Sequence, residues 1–148
     1  MSNHALETLD ANCVAKRLWV GAAPPTDRDL PQFQALVLCA VEYQPEFPFY
    51  RGAILRCRLR DSNLSRFEAD HALVGGQWVA TALSNGKTVL VTCQAGINRS
   101  ALVASVALGM LNRRATPEQI MDRIRRTRNP DCLSNPDFQR FLKQYLKR

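Results

Sequence analysis

The chain has 148 residues, of which 46% are hydrophobic and 22% are charged, and its net charge at pH 7 is +7. This length and composition exclude a disordered chain and favour one folded domain. The excess of Lys and Arg favours anionic partners, without choosing among phosphoproteins, phospholipids and nucleic acid.

Two segments bear on the location of the protein. The longest apolar stretch, residues 101–111, is far shorter than the roughly 20 residues that a membrane-spanning helix needs. The N-terminal sequence MSNHALETLDAN lacks the basic-then-apolar pattern of a secretory leader. We therefore expect a cytoplasmic protein with no membrane insertion.

Four segments have the pattern of β-strands. Residues 18–21 (LWVG) form a short apolar run, and residues 35–41 (ALVLCAV) form the longer run expected of a strand buried on both faces. In residues 53–60, apolar side chains alternate with arginines, which predicts a strand with two different faces. Residues 88–92 (TVLVT), after an Asn-Gly turn, predict a further buried strand.

Four helices are predicted from their start signals and apolar periodicity. They cover residues 65–83, 100–111, 116–126 and a segment that begins at 135. The first and third open on capping boxes, SRFE and TPEQ, in which two side chains satisfy each other's backbone N–H groups. The second is apolar, and the last is amphipathic. Strands that alternate with helices predict an α/β fold, in which helices flank a central, mostly parallel sheet.

A polar loop, CQAGINRS, joins the last predicted strand to the apolar helix. Backbone N–H groups converge in such a turn and the helix dipole adds positive potential, so the turn suits a phosphate dianion. Gly96 permits the sharp turn, and the planar guanidinium of Arg99 matches two phosphate oxygens. The same positive field favours the thiolate of Cys93 at neutral pH. One loop therefore holds a nucleophile and the clamp for its target.

This loop, with its C-x2-G-x2-R-S spacing, resembles the signature loop of the cysteine-dependent protein tyrosine phosphatase superfamily. It is most similar to that of the small dual-specificity phosphatases. The segments SALVASVALGML, LWVGAAPPTDRDL and FQRFLKQYL also resemble parts of that family. The resemblance implies a single phosphatase domain over residues 1–148 with the dual-specificity-phosphatase fold. It further implies hydrolysis of phosphomonoesters through a cysteinyl-phosphate intermediate, with no cofactor and no metal.

The resemblance also implies roles for individual residues. Cys93 is the nucleophile, Arg99 clamps the phosphate, and Ser100 hydrogen-bonds the departing sulfur. The phosphoryl oxygens bind along the loop, to Gln94, Ala95, Gly96, Ile97, Asn98 and Arg99. Expulsion of the leaving oxygen needs a proton donor, and the family's aspartate, about thirty residues before the cysteine, corresponds to Asp61. Asp70 is a weaker candidate because it falls inside a predicted helix.

One position departs from the family pattern. A histidine usually precedes the nucleophile and helps to organise the loop, whereas this chain has Thr92. Because Cys93, Arg99 and Asp61 all remain, we predict an active enzyme.

The main hypothesis is a phosphatase of phosphotyrosine, and of phosphoserine and phosphothreonine, in protein substrates. The same chemistry on a phosphoinositide or an RNA 5′-phosphate is an alternative that the basic charge permits, so phospholipid and RNA stay open as partners. A phosphate-binding pseudophosphatase is another alternative, motivated by Thr92. A basic cluster in the third helix either holds a second phosphate or is a solvated face; it comprises Arg123, Arg125, Arg126 and Arg128.

Overall fold

The computed structural model describes residues 9–147, in which strands and helices alternate along the chain. The five strands are β1 (Ala11–Ala15), β2 (Leu18–Gly21), β3 (Ala35–Ala40), β4 (Ala53–Leu59) and β5 (Val89–Thr92). The four helices are α1 (Arg66–Ser84), α2 (Arg99–Leu111), α3 (Pro117–Thr127) and α4 (Pro136–Tyr145). Every strand and helix that the sequence predicts is thereby confirmed, and the predicted ends nearly coincide with the observed ones.

The strands form one sheet in the order β1-β2-β5-β3-β4, and every neighbouring pair except β1–β2 is parallel. The predicted mostly parallel sheet flanked by helices is therefore confirmed. β5 lies in the centre, with Val91 in register with Val20 of β2 and Val37 of β3. Because parallel strands end at the same edge of a sheet, the residues that follow β3, β4 and β5 come together there, where ligands bind in α/β sheets.

The sequence pattern does not predict β1. Only one of its five residues, Val14, is buried, so neither alternation nor an apolar run marks the strand. β1 lies at the antiparallel edge of the sheet, where it pairs with β2 alone. Backbone pairing with the neighbouring strand, and not burial of its own side chains, accounts for this strand.

Both faces of the sheet are buried, by different parts of the chain. Val37 of β3 belongs to the cluster that contains side chains from all four helices, such as Leu102 of α2. Leu36 and Leu38, which alternate with Val37, belong to a second cluster with Phe33 from a connecting segment. A strand covered on both faces has no solvent-facing position, which explains why the six residues of β3, ALVLCA, include no polar side chain.

The apolar character of α2 reflects its burial between the sheet and α1. At Gly76 of α1, an added Cβ would lie 2.6 Å from Cβ of Val106, so the close crossing of the two helices requires a glycine. Within residues 9–147, no helix is both long and apolar enough to cross a membrane. Burial of α2 fixes its first two residues, Arg99 and Ser100, next to the end of β5.

The capping box at the start of α1 also holds the segment that follows β4. Glu68 closes the box with Ser65, and its carboxylate accepts hydrogen bonds from the backbone N–H and the guanidinium of Arg60. These bonds, first those from Arg60 and then those from Ser65, lower the pKa of the buried Glu68 from 4.5 to about 2. Because Arg60 directly precedes Asp61, Glu68 fixes the entry to the segment that carries Asp61.

Glu68 should make the free energy of unfolding depend on pH. Its folded pKa lies below its ordinary value, so ionised Glu68 stabilises the folded chain above pH 4.5, and this stabilisation is lost as the pH falls towards 2. We expect wild type to lose more unfolding free energy than Glu68→Gln between about pH 5.5 and pH 3, measured by urea titration. Equal losses in the two proteins would contradict this role.

Candidate active site

Cys93 follows β5 directly, at the edge of the sheet where β2, β3 and β4 also end. Its Sγ atom lies 3.2 Å from Oγ of Ser100, the second residue of α2, and both residues are buried. Asn98, at the N-cap position of α2, makes no side-chain cap. The N–H groups in the first turn of α2 therefore lack the side-chain acceptor that usually satisfies such groups. They remain available to bind an anion.

The signature loop (residues 93–100) turns four successive carbonyl groups outward. Each accepts a hydrogen bond from outside the loop: Gln94 from Ala23 N–H, Ala95 and Gly96 from the Arg128 guanidinium, and Ile97 from Leu133 N–H. Carbonyl and N–H point in opposite directions within a trans peptide unit, so the amides face the inside of the turn. Gly96 has φ +71°, and a Cβ there would lie 2.5 Å from the carbonyl carbon of Gly21, so the turn requires this glycine.

Arg99 forms a two-pronged ion pair with Glu42, the second residue after β3. Its Nη1 and Nη2 donate to the two carboxylate oxygens at 2.5 and 2.7 Å, and Nη1 also donates to the carbonyl of Leu59 at 3.1 Å. The hydrogen bonds from the Arg99 guanidinium lower the pKa of Glu42. Since Glu42 takes one edge of the guanidinium, the second edge, formed by Nε and Nη2, is left for another anion.

The second edge of Arg99 contains a donor with no partner. The Arg99 side chain is only 7% exposed, and its Nε is a buried nitrogen that has no hydrogen-bond partner within residues 9–147. A buried N–H without an acceptor costs about 1–3 kcal/mol, so native proteins seldom leave one unless a ligand or water completes it. The arrangement therefore suits a phosphate group that accepts from Nε and Nη2.

Sequence reasoning missed Glu42. The signal is nevertheless present, because Glu42 follows the apolar strand ALVLCAV at the same edge of the sheet as Cys93. An acid directly after a buried parallel strand lies where the ligand site of such sheets forms. An acid also follows the parallel strand β4, namely Asp61, which the family resemblance already identifies as the candidate proton donor.

Asp61 lies beside the signature loop, two residues after β4. Its Oδ2 accepts a hydrogen bond from Nδ2 of Asn98 at 3.1 Å, and its Oδ1 accepts one from Nδ2 of Asn135 at 2.9 Å. Asp70, the weaker sequence candidate, lies on α1 and lines a separate cleft with Cys57 and His71. The fold therefore brings Asp61 to the loop and leaves Asp70 elsewhere.

Thr92, which replaces the family's usual histidine, bonds a neighbouring strand through its hydroxyl. Its hydroxyl is buried at the end of β5 and donates to the carbonyl of Val37 in β3 at 2.9 Å. This bond joins the central strand to its neighbour. The orientation of the signature loop therefore depends on other residues.

Arg128, the residue after α3, is the main side-chain support of the loop. Its side chain is 5% exposed, with Nη2 donating to the carbonyl of Ala95 and Nε to that of Gly96, both at 3.1 Å. Its Nη1 donates to the side chains of Asp10 and Asn12, at the unpredicted strand β1. Residues at β1 therefore position Arg128, and Arg128 in turn positions the signature loop.

Two further arginines of the basic cluster also bond backbone carbonyls of the fold. Arg123 donates to the carbonyl of Val14, and Arg125 donates to the carbonyls of Cys132 and Leu133. Of the four arginines, Arg126 alone is exposed without such a bond among the described contacts. The bonds of Arg123 and Arg125 connect α3 to β1 and to the α3–α4 connection. Arg123 and Arg126 are nevertheless exposed, so this part of the cluster is a solvated face.

Replacement of Arg128 should weaken catalysis by releasing the loop. Arg128→Ala removes two charge-assisted bonds to loop carbonyls, each worth about 1.5–3 kcal/mol, and we expect kcat/KM for an aryl phosphate to fall at least about tenfold. Arg126→Ala is the matched control, because Arg126 lies two residues before Arg128 and makes no bond to the loop among the described contacts. It should keep wild-type kinetics. Thermal unfolding of both variants identifies the folded fraction. A folded Arg128→Ala protein with unchanged kcat/KM would contradict this role of Arg128.

A comparison with protein families assigns the chain. The family model described as dual specificity phosphatase, catalytic domain, matches residues 54–148, which is more than half of the chain. The chain therefore belongs to this family, and the resemblance seen in its sequence is confirmed. As a member of the family it is a cysteine-dependent phosphatase of the protein tyrosine and dual-specificity class.

Solved structures share the fold over nearly the whole chain. Human DUSP28 superposes with a TM-score of 0.78 at 22% identity, covering 93% of each chain. A mouse putative dual specificity phosphatase complexed with zinc tungstate superposes with a TM-score of 0.76 at 23% identity, covering 99% of this chain and 91% of the other. DUSP15 gives 0.77 at 20% identity, covering 93% and 87%. No curated protein sequence gives a match.

Proposed function

We propose that the protein removes phosphate from phosphotyrosine, and from phosphoserine and phosphothreonine, in protein substrates through a phosphorylated Cys93. The observation that carries this proposal is the buried Nε of Arg99, which lacks a partner within the described chain and lies in the same loop as Cys93. A phosphoryl group in the loop completes that donor and accepts from the inward amides. Its phosphorus then lies next to the sulfur.

In the first step, the Cys93 thiolate attacks phosphorus, the S–P bond forms and the bond to the leaving oxygen breaks. The amides of residues 94–99 and the free edge of Arg99 stabilise the charge on the three equatorial oxygens. Asp61 gives its proton to the leaving oxygen. In the second step, water attacks phosphorus, Asp61 takes a proton from that water, and the Ser100 hydroxyl stabilises the departing sulfur.

The exposure of the site supports substrates with short as well as long side chains. The side chain of Arg99 is buried, whereas the side chain of its partner Glu42 is 48% exposed. Gln94 and Ala95 of the loop and the candidate acid Asp61 are also exposed. These exposed groups around the loop support access by the shorter side chains of phosphoserine and phosphothreonine in addition to phosphotyrosine.

The contacts of the basic residues favour a protein substrate over a polyanion. Arg125 and Arg128 are bonded to backbone carbonyls within the fold, and the groups around the loop include the carboxylates of Glu42 and Asp61. Adjacent carboxylates repel the further phosphates of a phosphoinositide or an RNA 5′-triphosphate. We therefore treat those substrates as outcomes of the test.

Phosphate release from four substrates tests the proposal. The substrates are a phosphotyrosine peptide, a phosphoserine peptide, a phosphoinositide and a 5′-triphosphorylated RNA. We expect wild type to hydrolyse both peptides with the highest kcat/KM, Cys93→Ser to give no release above background, and Asp61→Asn to lose about 10²–10⁴-fold. The lipid or the RNA as the best substrate would overturn the assignment of substrate class.

Matched controls separate the chemistry from damage to the fold. Cys13→Ser replaces the exposed thiol on β1, and Asp70→Asn replaces the aspartate beside the other cleft. Both variants should keep wild-type kinetics. Phosphate release by Cys93→Ser at the wild-type rate would refute the cysteinyl-phosphate, and a protein that binds phosphopeptide but releases no phosphate would be a pseudophosphatase.

A further inference from the structure

Two asparagine side chains donate to the carboxylate of Asp61, one to each oxygen. Asn98 donates through Nδ2 to Oδ2, and Asn135 donates through Nδ2 to Oδ1. The two asparagines lie 37 residues apart in the chain and on different elements. Each oxygen of the candidate acid is thereby given one amide donor, although Asp61 itself is exposed to solvent.

The orientation of Asn135 is set by the start of α4. Asn135 is the N-cap residue, and its Oδ1 accepts from the backbone N–H groups of Asp137 and Phe138. Because the oxygen of the amide is committed to the helix, the nitrogen must face the other way. It reaches Oδ1 of Asp61 and also donates to the carbonyl of Ser62 at 3.0 Å.

The orientation of Asn98 is set by the α3–α4 connection. Its Oδ1 accepts from the backbone N–H of Asn135 at 3.1 Å and from the hydroxyl of Ser134 at 3.3 Å. The Nδ2 is therefore turned to Asp61. Asn98 also belongs to the signature loop and precedes Arg99, so this bond fixes Asp61 relative to the phosphate clamp.

We propose that Asn98 and Asn135 are positioning residues that hold Asp61 ready to exchange a proton with the substrate oxygen. A carboxylate has about four lone-pair sites, and each amide uses one, so one site on each oxygen stays open for a proton. The proton passes to the leaving oxygen as the bond from that oxygen to phosphorus breaks. The same site then receives a proton from the attacking water, while both amide bonds persist.

The proposal rests on the proposed role of Asp61 as the acid, and its test compares two leaving groups. A poor leaving group, as in phenyl phosphate, needs protonation, whereas 6,8-difluoro-4-methylumbelliferyl phosphate carries a good one that does not. We expect Asn98→Ala and Asn135→Ser to lose at least about tenfold more kcat/KM on phenyl phosphate than on the activated ester. Serine keeps the N-cap of α4 and removes only the amide donor.

Two controls distinguish positioning from general damage. Asp61, Asn98 and Asn135 line a cleft of about 260 Å³, and Asn63 lines it too. Asn63→Ala should leave unchanged the ratio of kcat/KM for phenyl phosphate to kcat/KM for the activated ester. In the background of Asp61→Asn, the asparagine variants should cause little further loss, because their effect acts through Asp61. Equal losses on both esters, or full further losses in that background, would overturn the positioning role.

The failure of the proposed function has a different signature. If Asp61→Asn itself lowers both rates equally, Asp61 is not the proton donor and the assignment of the acid fails. If Asp61→Asn discriminates between the esters while both asparagine variants do not, only the positioning role fails. Cys93→Ser, assayed in parallel, reports on the nucleophile alone.

Discussion

The site is built on the outward orientation of the carbonyl groups in the signature loop. A peptide unit that turns its oxygen outward turns its N–H inward, so four satisfied carbonyls create a concave surface of backbone donors. The donors that hold these carbonyls come from distant parts of the chain, namely Ala23, Arg128 and Leu133. The loop is consequently shaped by tertiary contacts, to which its own sequence contributes chiefly Gly96.

The topology of the sheet determines where the charged and nucleophilic side chains of the site lie. Because the parallel strands end together, Glu42 after β3, Asp61 after β4 and Cys93 after β5 reach one edge, facing the start of α2. Glu42 orients the Arg99 guanidinium by binding one of its edges, and the other edge stays available to substrate. The Thr92 hydroxyl bonds the neighbouring strand β3. Thr92 therefore does not take over the loop-organising role of the histidine that the family usually has at this position.

The parts of the structure that the sequence predicts are those with local causes. Apolar runs and the two capping boxes each act over a few residues, and each is confirmed as structure. The parts that it misses depend on contacts between distant residues. Glu42 meets Arg99 across 57 residues and Arg128 meets Gly96 across 32, while β1 buries a single side chain. The local sequence indicates the edge of the sheet at which Glu42 lies, but not its pairing with Arg99, and it indicates neither the contacts of Arg128 nor the pairing of β1.

A crystal structure of the protein with orthovanadate tests the arrangement of the loop most directly. We expect vanadium bonded to Sγ of Cys93, with its equatorial oxygens accepting from the amides of residues 94–99 and from Nε and Nη2 of Arg99. Glu42 should remain paired with the other edge of the guanidinium. Vanadate bound away from Cys93, or a loop whose carbonyl groups face the anion, would contradict this arrangement.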